Sequence, residues 1–365
     1  MVFYPISISQ IRDREHWYGR NFQFLGEIKI REMVSLFLCL TMNISFAAEG
    51  VDKAELDREL SRMIGDTGTK VPGLGVIVFR DGREVYSNFL GQAVIDEKDP
   101  SKSKPFARDS RFRIASVSKM FTIFTIMQLV EQGKLDLDAD VSRYLGFELR
   151  NPNYPQQPIT IRMLASHTSS LRDDKIYSIP PQMSLQEFFK PTGEFYVNGG
   201  HFAPDTIALQ NPYDEDYQMT YSLKGYVPGT NATVFSPAGG LRISCEELSH
   251  ALEMLMNNGT YRGRQILSPE SVQAMFNREW IYDEAKKNGS SYGGTLLSYG
   301  LGIYQMDGNT TARFSRDTEI DLAGHTGEAF GLLSMLALRP GTKDGFVYIM
   351  NGEAVEEDED EMWQF

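Results

Sequence analysis

FRIASVSKMFTIFTIMQLVEQGKLDLDADVSRYL (residues 112–145) is the stretch on which the fold turns. Its middle is apolar almost all round, through Met120, Phe121, Ile123, Phe124, Ile126, Met127, Leu129 and Val130, and it closes at Gly133. A helix apolar on every side belongs in the interior of a protein. The first turn carries Ser116-Val117-Ser118-Lys119, and the i, i+3 spacing puts the serine and the lysine on one face. There a hydroxyl sits at the positive end of the helix. A desolvated lysine gives up its proton more readily and can help activate that hydroxyl. By itself the S-x-x-K pattern says little, since a chain of this length contains about one by chance. A second copy, Ser101 to Lys104, lies in a polar loop and reads as solvated surface. Ser116 differs because a lysine one turn into a buried helix is costly without a polar pocket. The bland alternative is that Lys119 only reaches out to solvent from the helix start.

Working outward, VDKAELDRELSRMIG (51–65) repeats Leu56, Leu60, Met63 and Ile64 at helical spacing and stops at Gly65. LGVIVFRDGREVYSNFLG (74–91) reads as two strands joined at Asp81-Gly82, a dipeptide favoured in tight hairpins. Residues 91–110 form a polar, proline-bearing connection. ITIRMLASHTSSL (159–171) predicts a short helix followed by a Ser/Thr turn. Between about 172 and 235 no periodicity is sustained, and order returns at SPAGGLRISCEELSHALEMLMNNG, a glycine pair leading into an amphipathic helix. YGLGIYQM (299–306), FGLLSMLALRP (330–340) and DGFVYIMN (344–351) read as strands. The fold class is therefore α+β: an antiparallel sheet formed from both chain ends and flanked by helices, with a helical middle lobe that looks reduced.

Composition narrows the function. The 365 residues carry a net charge of −13 and no basic stripe, which excludes a nucleic-acid partner that needs clustered Lys and Arg. The histidines (16, 167, 201, 250 and 325) are scattered, with no ligand-spaced pair, so no metal is expected. No glycine-rich loop opens a helix as a phosphate cradle and no Gly-x-Ser-x-Gly elbow occurs, so neither a nucleotide cofactor nor an α/β-hydrolase is indicated; no cofactor of any kind is expected. Two further patterns carry chemistry. Gly324-His325-Thr326-Gly327 precedes the strand at 330–340, where small residues let a ligand approach a sheet edge and His325 has a proton to donate to a carboxylate or an oxyanion. Tyr196-Val197-Asn198 pairs a phenol suited to general-base work with an amide suited to holding a substrate. Each taken alone is weak: a turn histidine and a packed loop tyrosine are the plainer readings.

Taken together, S-x-x-K, Tyr-x-Asn and His-Thr-Gly in this order resemble the three motifs of the class C β-lactamase, D,D-peptidase and esterase family. PGLGVIVFRDGREV resembles the family's first hairpin, residues 112–145 its nucleophile helix, and LASHTSSL its Leu-x-x-His-Thr-Ser-x-Leu segment. FSPAGGLRIS and GHTGEAFGLLS resemble its later loop and its Lys/His-Thr-Gly strand. The resemblance runs from about Val51 to Gly352. It implies that Ser116 is the acylated nucleophile, Lys119 its proton partner and Tyr196 the base. It further implies that Asn198, His325 (in place of the commoner lysine), Thr326 and Gly327 bind substrate. The oxyanion hole would combine the N–H of Ser116 with one on the strand near Ala329. Such donors contribute about 3–4 kcal/mol to lowering a barrier.

The departures bear on function. Asn198 is followed by GGHFAPDTIALQNPYDEDYQ, which lacks the apolar helix expected there, and the chain then passes quickly to GTNATVFSPAGGL. Tyr221-Ser222-Leu223 is a poorer second candidate for the base motif. The boundaries expected are an N-terminal extension over 1–48, a hydrolase domain over 49–352 with its helical lobe (about 110–235) incomplete, and an acidic tail over 353–365. Three readings stay open: a serine hydrolase acting on β-lactams, D-amino-acid peptides or small esters; a non-catalytic relative that binds cell-wall peptide or β-lactam without turnover; and a disrupted remnant. Its partner is a small-molecule or peptidoglycan-derived substrate.

The segment MVSLFLCLTMNI (33–44), with Lys29 and Arg31 before it and Ser45, Ala47 and Ala48 after it, has the order of a signal peptide. It is too short to span a bilayer. Export, with a periplasmic location and no membrane anchor after cleavage, is the expectation. Cys39 would leave with the signal, and the remaining Cys245 supports no disulfide.

Overall fold

The computed structural model describes residues 53–65, 71–96, 98–171, 185–189, 236–286, 288–289, 296–306, 321–329 and 331–352, and the backbone of 356–357 and 363–364. Among them the helices are α1 (Lys53–Arg62), α2 (Ser118–Glu131), α3 (Ser142–Leu145), α4 (Ile161–Ala165), α5 (Leu185–Phe189), α6 (Cys245–Met256) and α7 (Pro269–Phe276). The first strands are β1 (Gly73–Arg80), β2 (Arg83–Val94), β3 (Lys104–Pro105), β4 (Phe112–Arg113) and β5 (Arg242–Ile243). Then come β6 (Thr260–Tyr261), β7 (Arg264–Gln265), β8 (Trp280–Ile281), β9 (Ser298–Tyr299) and β10 (Tyr304–Met306). The last are β11 (Leu322–Ala329), β12 (Leu332–Leu338), β13 (Gly345–Met350), β14 (Glu356–Glu357) and β15 (Trp363–Gln364).

Nine of these strands make one antiparallel sheet in the order β3-β2-β1-β13-β12-β11-β10-β9-β8. Chain beginning and chain end meet at its centre, where Leu74 faces Met350 and Phe79 faces Gly345. The fold is thus α+β, with its sheet drawn from both ends of the described chain. Asp81 (φ 50°) and Gly82 (φ 74°) are both left-handed, the backbone a two-residue hairpin with right-twisted strands requires. Alternation along the strands gives the sheet two apolar faces. On one, Leu56 and Leu60 of α1 pack in a cluster with Val76, Val78, Met335 and Tyr348. On the other, Ile77, Leu336, Val347 and Ile349 join Met120, Ile123 and Met127 of α2 and Leu248 and Leu252 of α6 in the main core. Fully burying a side chain of this kind contributes about 1.5–3 kcal/mol, so this double layer is the main source of rigidity under α2. A capping box between Ser244 and Glu247 starts α6.

The structure goes beyond the sequence reading at three places. YGLGIYQM is not one strand: Gly302 (φ 66°) reverses the chain, and β9 pairs back on β10 with Tyr299 opposite Tyr304. The GHTG segment precedes β12 as read, but it is also a strand in its own right, lying inside β11 and paired along its length with β12. A segment containing two glycines and polar residues has little β propensity of its own, and pairing with the wholly buried β12 supplies what propensity does not. Within the acidic tail, β14 pairs with β15. Nearly half of the expected helical lobe (172–184 and 190–235) and the signal-like segment lie outside the described residues. Among the described residues no helix is long and apolar enough to cross a membrane.

Candidate active site

Ser116 occupies the middle of a 3-10 turn, Ala115–Val117, that runs directly into α2. Ala115 adopts φ 43°, a left-handed backbone that costs a non-glycine residue on the order of 1–3 kcal/mol and is held only where surroundings impose it. Those surroundings are visible on three sides. Ser334 of β12, fully buried, donates from Oγ to the Ile114 carbonyl at 2.8 Å. The Ile114 N–H donates to the Leu241 carbonyl at 2.9 Å, continuing the β4–β5 pairing of Phe112 with Ile243 and Arg113 with Arg242. Third, Gly327 of β11 lies so close that a Cβ there would overlap the Ile114 carbonyl oxygen, and would stand 2.6 Å from Ser334 Oγ and 3.0 Å from Ser116 N. The turn is clamped between sheet and loop, while Ser116 keeps part of its surface open.

Lys119, in the first turn of α2, donates from Nζ to Ser116 Oγ at 2.9 Å and to the Ala238 carbonyl at 3.2 Å. The polar pocket that a lysine in this helix requires is therefore built by the 236–241 loop. That loop is fastened to the same helix by Thr122 Oγ1 donating to the Pro237 carbonyl at 2.9 Å and by the Leu241 N–H donating to Ser118 Oγ at 3.2 Å. Sequence reasoning noted the Pro-Ala-Gly-Gly run but assigned Ala238 nothing. A backbone carbonyl leaves no residue-type signal, so only the close packing implied by the glycine pair hints at it.

Near Lys119 lies a group of rings. His325 has no exposed surface. Its Nδ1 donates to the Thr326 carbonyl at 2.6 Å, since a carbonyl only accepts. Nε2 is therefore the acceptor for the Tyr299 hydroxyl at 3.2 Å. The Tyr304 ring stacks on the imidazole at 4.1 Å, and the Tyr299 ring meets His167 edge to face at 4.9 Å. Both ring nitrogens of His325 thus have partners inside the protein. Thr326 is partly exposed on the same strand, and Ala329 stands two residues beyond the contact with Ser116, partly packed on the main core. Tyr196 and Asn198 lie outside the described residues, as does Tyr221. Ser116, Lys119, His325, Thr326 and Gly327 are the candidate residues brought together. Among the described residues no group of three or more His, Cys, Asp or Glu side chains is placed to hold a metal ion.

Burial, reinforced by the nearby Lys119 ammonium, holds the His325 pKa well below its ordinary value and lowers that of His167 to about 4. Both histidines are neutral in the folded state, while an unfolded chain protonates them near 6.5. The unfolded state therefore binds more protons as pH falls, and stability drops as pH goes down through 6.5, levelling off for His167 near 4. The urea midpoint is expected to be lower at pH 5 than at pH 7. His167→Asn, which suits the φ 57° backbone at that position, is expected to shrink the difference. A difference equal to that of the wild type would refute the contribution of His167.

Three comparisons bear on this arrangement. The sequence matches the family model for Beta-lactamase over residues 60–202, a range that includes Ser116 and Lys119. It is 37% identical over 134 residues to the mouse (Mus musculus) "Serine beta-lactamase-like protein LACTB, mitochondrial", covering 34% of this chain and 22% of that protein. It is 34% identical over 117 residues to "Penicillin-binding protein 4*" of Bacillus subtilis (strain 168), covering 32% of this chain and 24% of that protein. The chain thus spans under a quarter of the length of these curated relatives. The D-amino acid amidase of Ochrobactrum anthropi SV3, solved with L-phenylalanine, superposes with a TM-score of 0.53 at 19% identity, over 83% of this chain and 92% of that one. At that identity the likeness establishes a shared fold.

Proposed function

Since this chain belongs to the serine β-lactamase and penicillin-binding-protein family, we propose that it is a serine hydrolase that forms an acyl-enzyme on Ser116. The observation that carries the reading is Lys119 Nζ at 2.9 Å from Ser116 Oγ, in a turn kept rigid from three sides. In the reaction, Ser116 Oγ attacks the acyl carbon of a β-lactam, a D-amino-acid peptide or a small ester. Its proton passes by way of Lys119 to the departing nitrogen or oxygen, and water then releases the acyl group in a second step. The negative charge that develops on the acyl oxygen is met by the Ser116 N–H, at the positive end of α2, together with a backbone N–H of β11 just past Gly327. An amidase with the same fold and a penicillin-binding relative both fit an acyl-transfer substrate of this kind.

The test is the intact mass of the protein after incubation with a penicillin and, separately, with p-nitrophenyl acetate, comparing wild type with Ser116→Ala. The expected result is one acyl adduct on the wild type and none on the variant. Decay of the adduct distinguishes hydrolysis from trapping. Folded wild-type protein that gains no mass from either reagent would overturn the hydrolase reading and favour a binding relative.

A further inference from the structure

We infer that Tyr299 and His325 form a positioning pair that fixes the Thr326–Gly327 peptide against the nucleophile turn. The inference deepens the acyl-transfer reading and rests on it for its kinetic part. The connection is continuous. Tyr299, 1% exposed, comes from β9 and donates its hydroxyl proton to His325 Nε2 at 3.2 Å. That bond occupies the acceptor nitrogen and selects the tautomer with its proton on Nδ1. The Nδ1 proton is then donated at 2.6 Å to the Thr326 carbonyl, which belongs to the peptide leading into Gly327. Gly327 in turn is the β11 residue that lies against Ser116 N and the Ile114 carbonyl.

The imidazole is enclosed. It has no exposed surface, the Tyr304 ring covers one face at 4.1 Å, and both nitrogens are engaged inside the protein. Peptide orientation matters at this place because β10 ends its pairing with β11 at Gly324, opposite Tyr304. From Thr326 onward β11 is paired by β12, and no described strand pairs its other edge. A strand edge without a partner strand is where a peptide plane has most freedom to rotate, so a side-chain tether to Thr326 restrains the stretch that faces Ser116. The pair thus connects β9 to the turn that carries Ser116.

Two substitutions separate the two bonds. The amide nitrogen of asparagine stands close to where Nδ1 stood, and that of glutamine close to where Nε2 stood. His325→Asn is expected to keep the bond to Thr326, and His325→Gln to lose it. Acylation of Ser116 by p-nitrophenyl acetate is expected to slow roughly tenfold or more in His325→Gln, with the Asn variant much closer to wild type. A second readout needs no activity. In 15N-histidine spectra of the wild type, His325 is expected to carry its proton on Nδ1 with Nε2 bare. Amide exchange in the β11 peptide is expected to quicken in His325→Gln and to stay near wild type in His325→Asn. A proton found on Nε2, or equal exchange in the two variants, would overturn the pair whether or not Ser116 acylates. If wild-type Ser116 fails to acylate while the tautomer and exchange results hold, the pair stands and the hydrolase reading falls.

Discussion

Lys119→Met is expected to slow acylation of Ser116 by roughly 10²–10⁴-fold, the range for removing a positioned proton-transfer group. Methionine keeps the length and much of the packing of the side chain but has no nitrogen to share with Ser116 Oγ or the Ala238 carbonyl. The helix itself does not depend on the ammonium. Met120, Ile123, Phe124 and Met127 of α2 are buried in the main core, and the 236–241 loop keeps its two other bonds to Thr122 and Ser118. The urea midpoint should therefore change little while the second-order rate of adduct formation, followed by mass, collapses. Lys119→Arg is the sharper comparison. It retains the charge but presents a planar guanidinium that does not give up its proton, so it should resemble methionine if proton transfer is the role and the wild type if charge alone suffices. Acylation by Lys119→Met at the wild-type rate would remove Lys119 from the mechanism.

Gly327→Ala should do comparable damage by a different route. The added Cβ would overlap the Ile114 carbonyl oxygen and come within 2.6 Å of Ser334 Oγ and 3.0 Å of Ser116 N. Ser334 can turn its hydroxyl away, but the other two atoms are backbone in a turn already clamped by β12, β5 and the 236–241 loop. Relief therefore requires β11 to move off the turn, which separates the two proposed sources of oxyanion donors. Overpacking a tight site typically costs about 1–3 kcal/mol of stability, and a misplacement of about 1 Å at a reacting centre costs on the order of 10²-fold in rate. The variant is expected to unfold at lower urea and to acylate at about one hundredth of the wild-type rate. Acylation as fast as the wild type would show that β11 takes no part at Ser116.

Local signals in the chain were read well where their cause is local. The Asp81-Gly82 turn follows from what two adjacent residues permit, and α1, α2 and α6 from periodicity over three or four turns. The order of the S-x-x-K and His-Thr-Gly motifs carried the family and, with it, the α+β sheet built from both chain ends. Even so, short-range reading failed at Tyr299–Met306, where apolar residues at strand-like spacing conceal the reversal at Gly302. It also failed at Leu322–Ala329, where a weakly strand-forming segment is held by its neighbour.

The sequence by itself therefore determined the type of fold, the interior helix and the serine–lysine pair on one face of its first turn. Only the tertiary structure decided that Lys119 finds its second acceptor at Ala238, that Gly327 stands against Ser116, and that His325 turns inward to Tyr299. The reason is physical. Helix phase, caps and tight turns depend on atoms a few residues apart, whereas these contacts join segments more than a hundred residues apart or strands whose faces are assigned by register. Register is fixed by the packing of both sheet faces at once, because a slip of one residue would send each side chain of β11 to the opposite face.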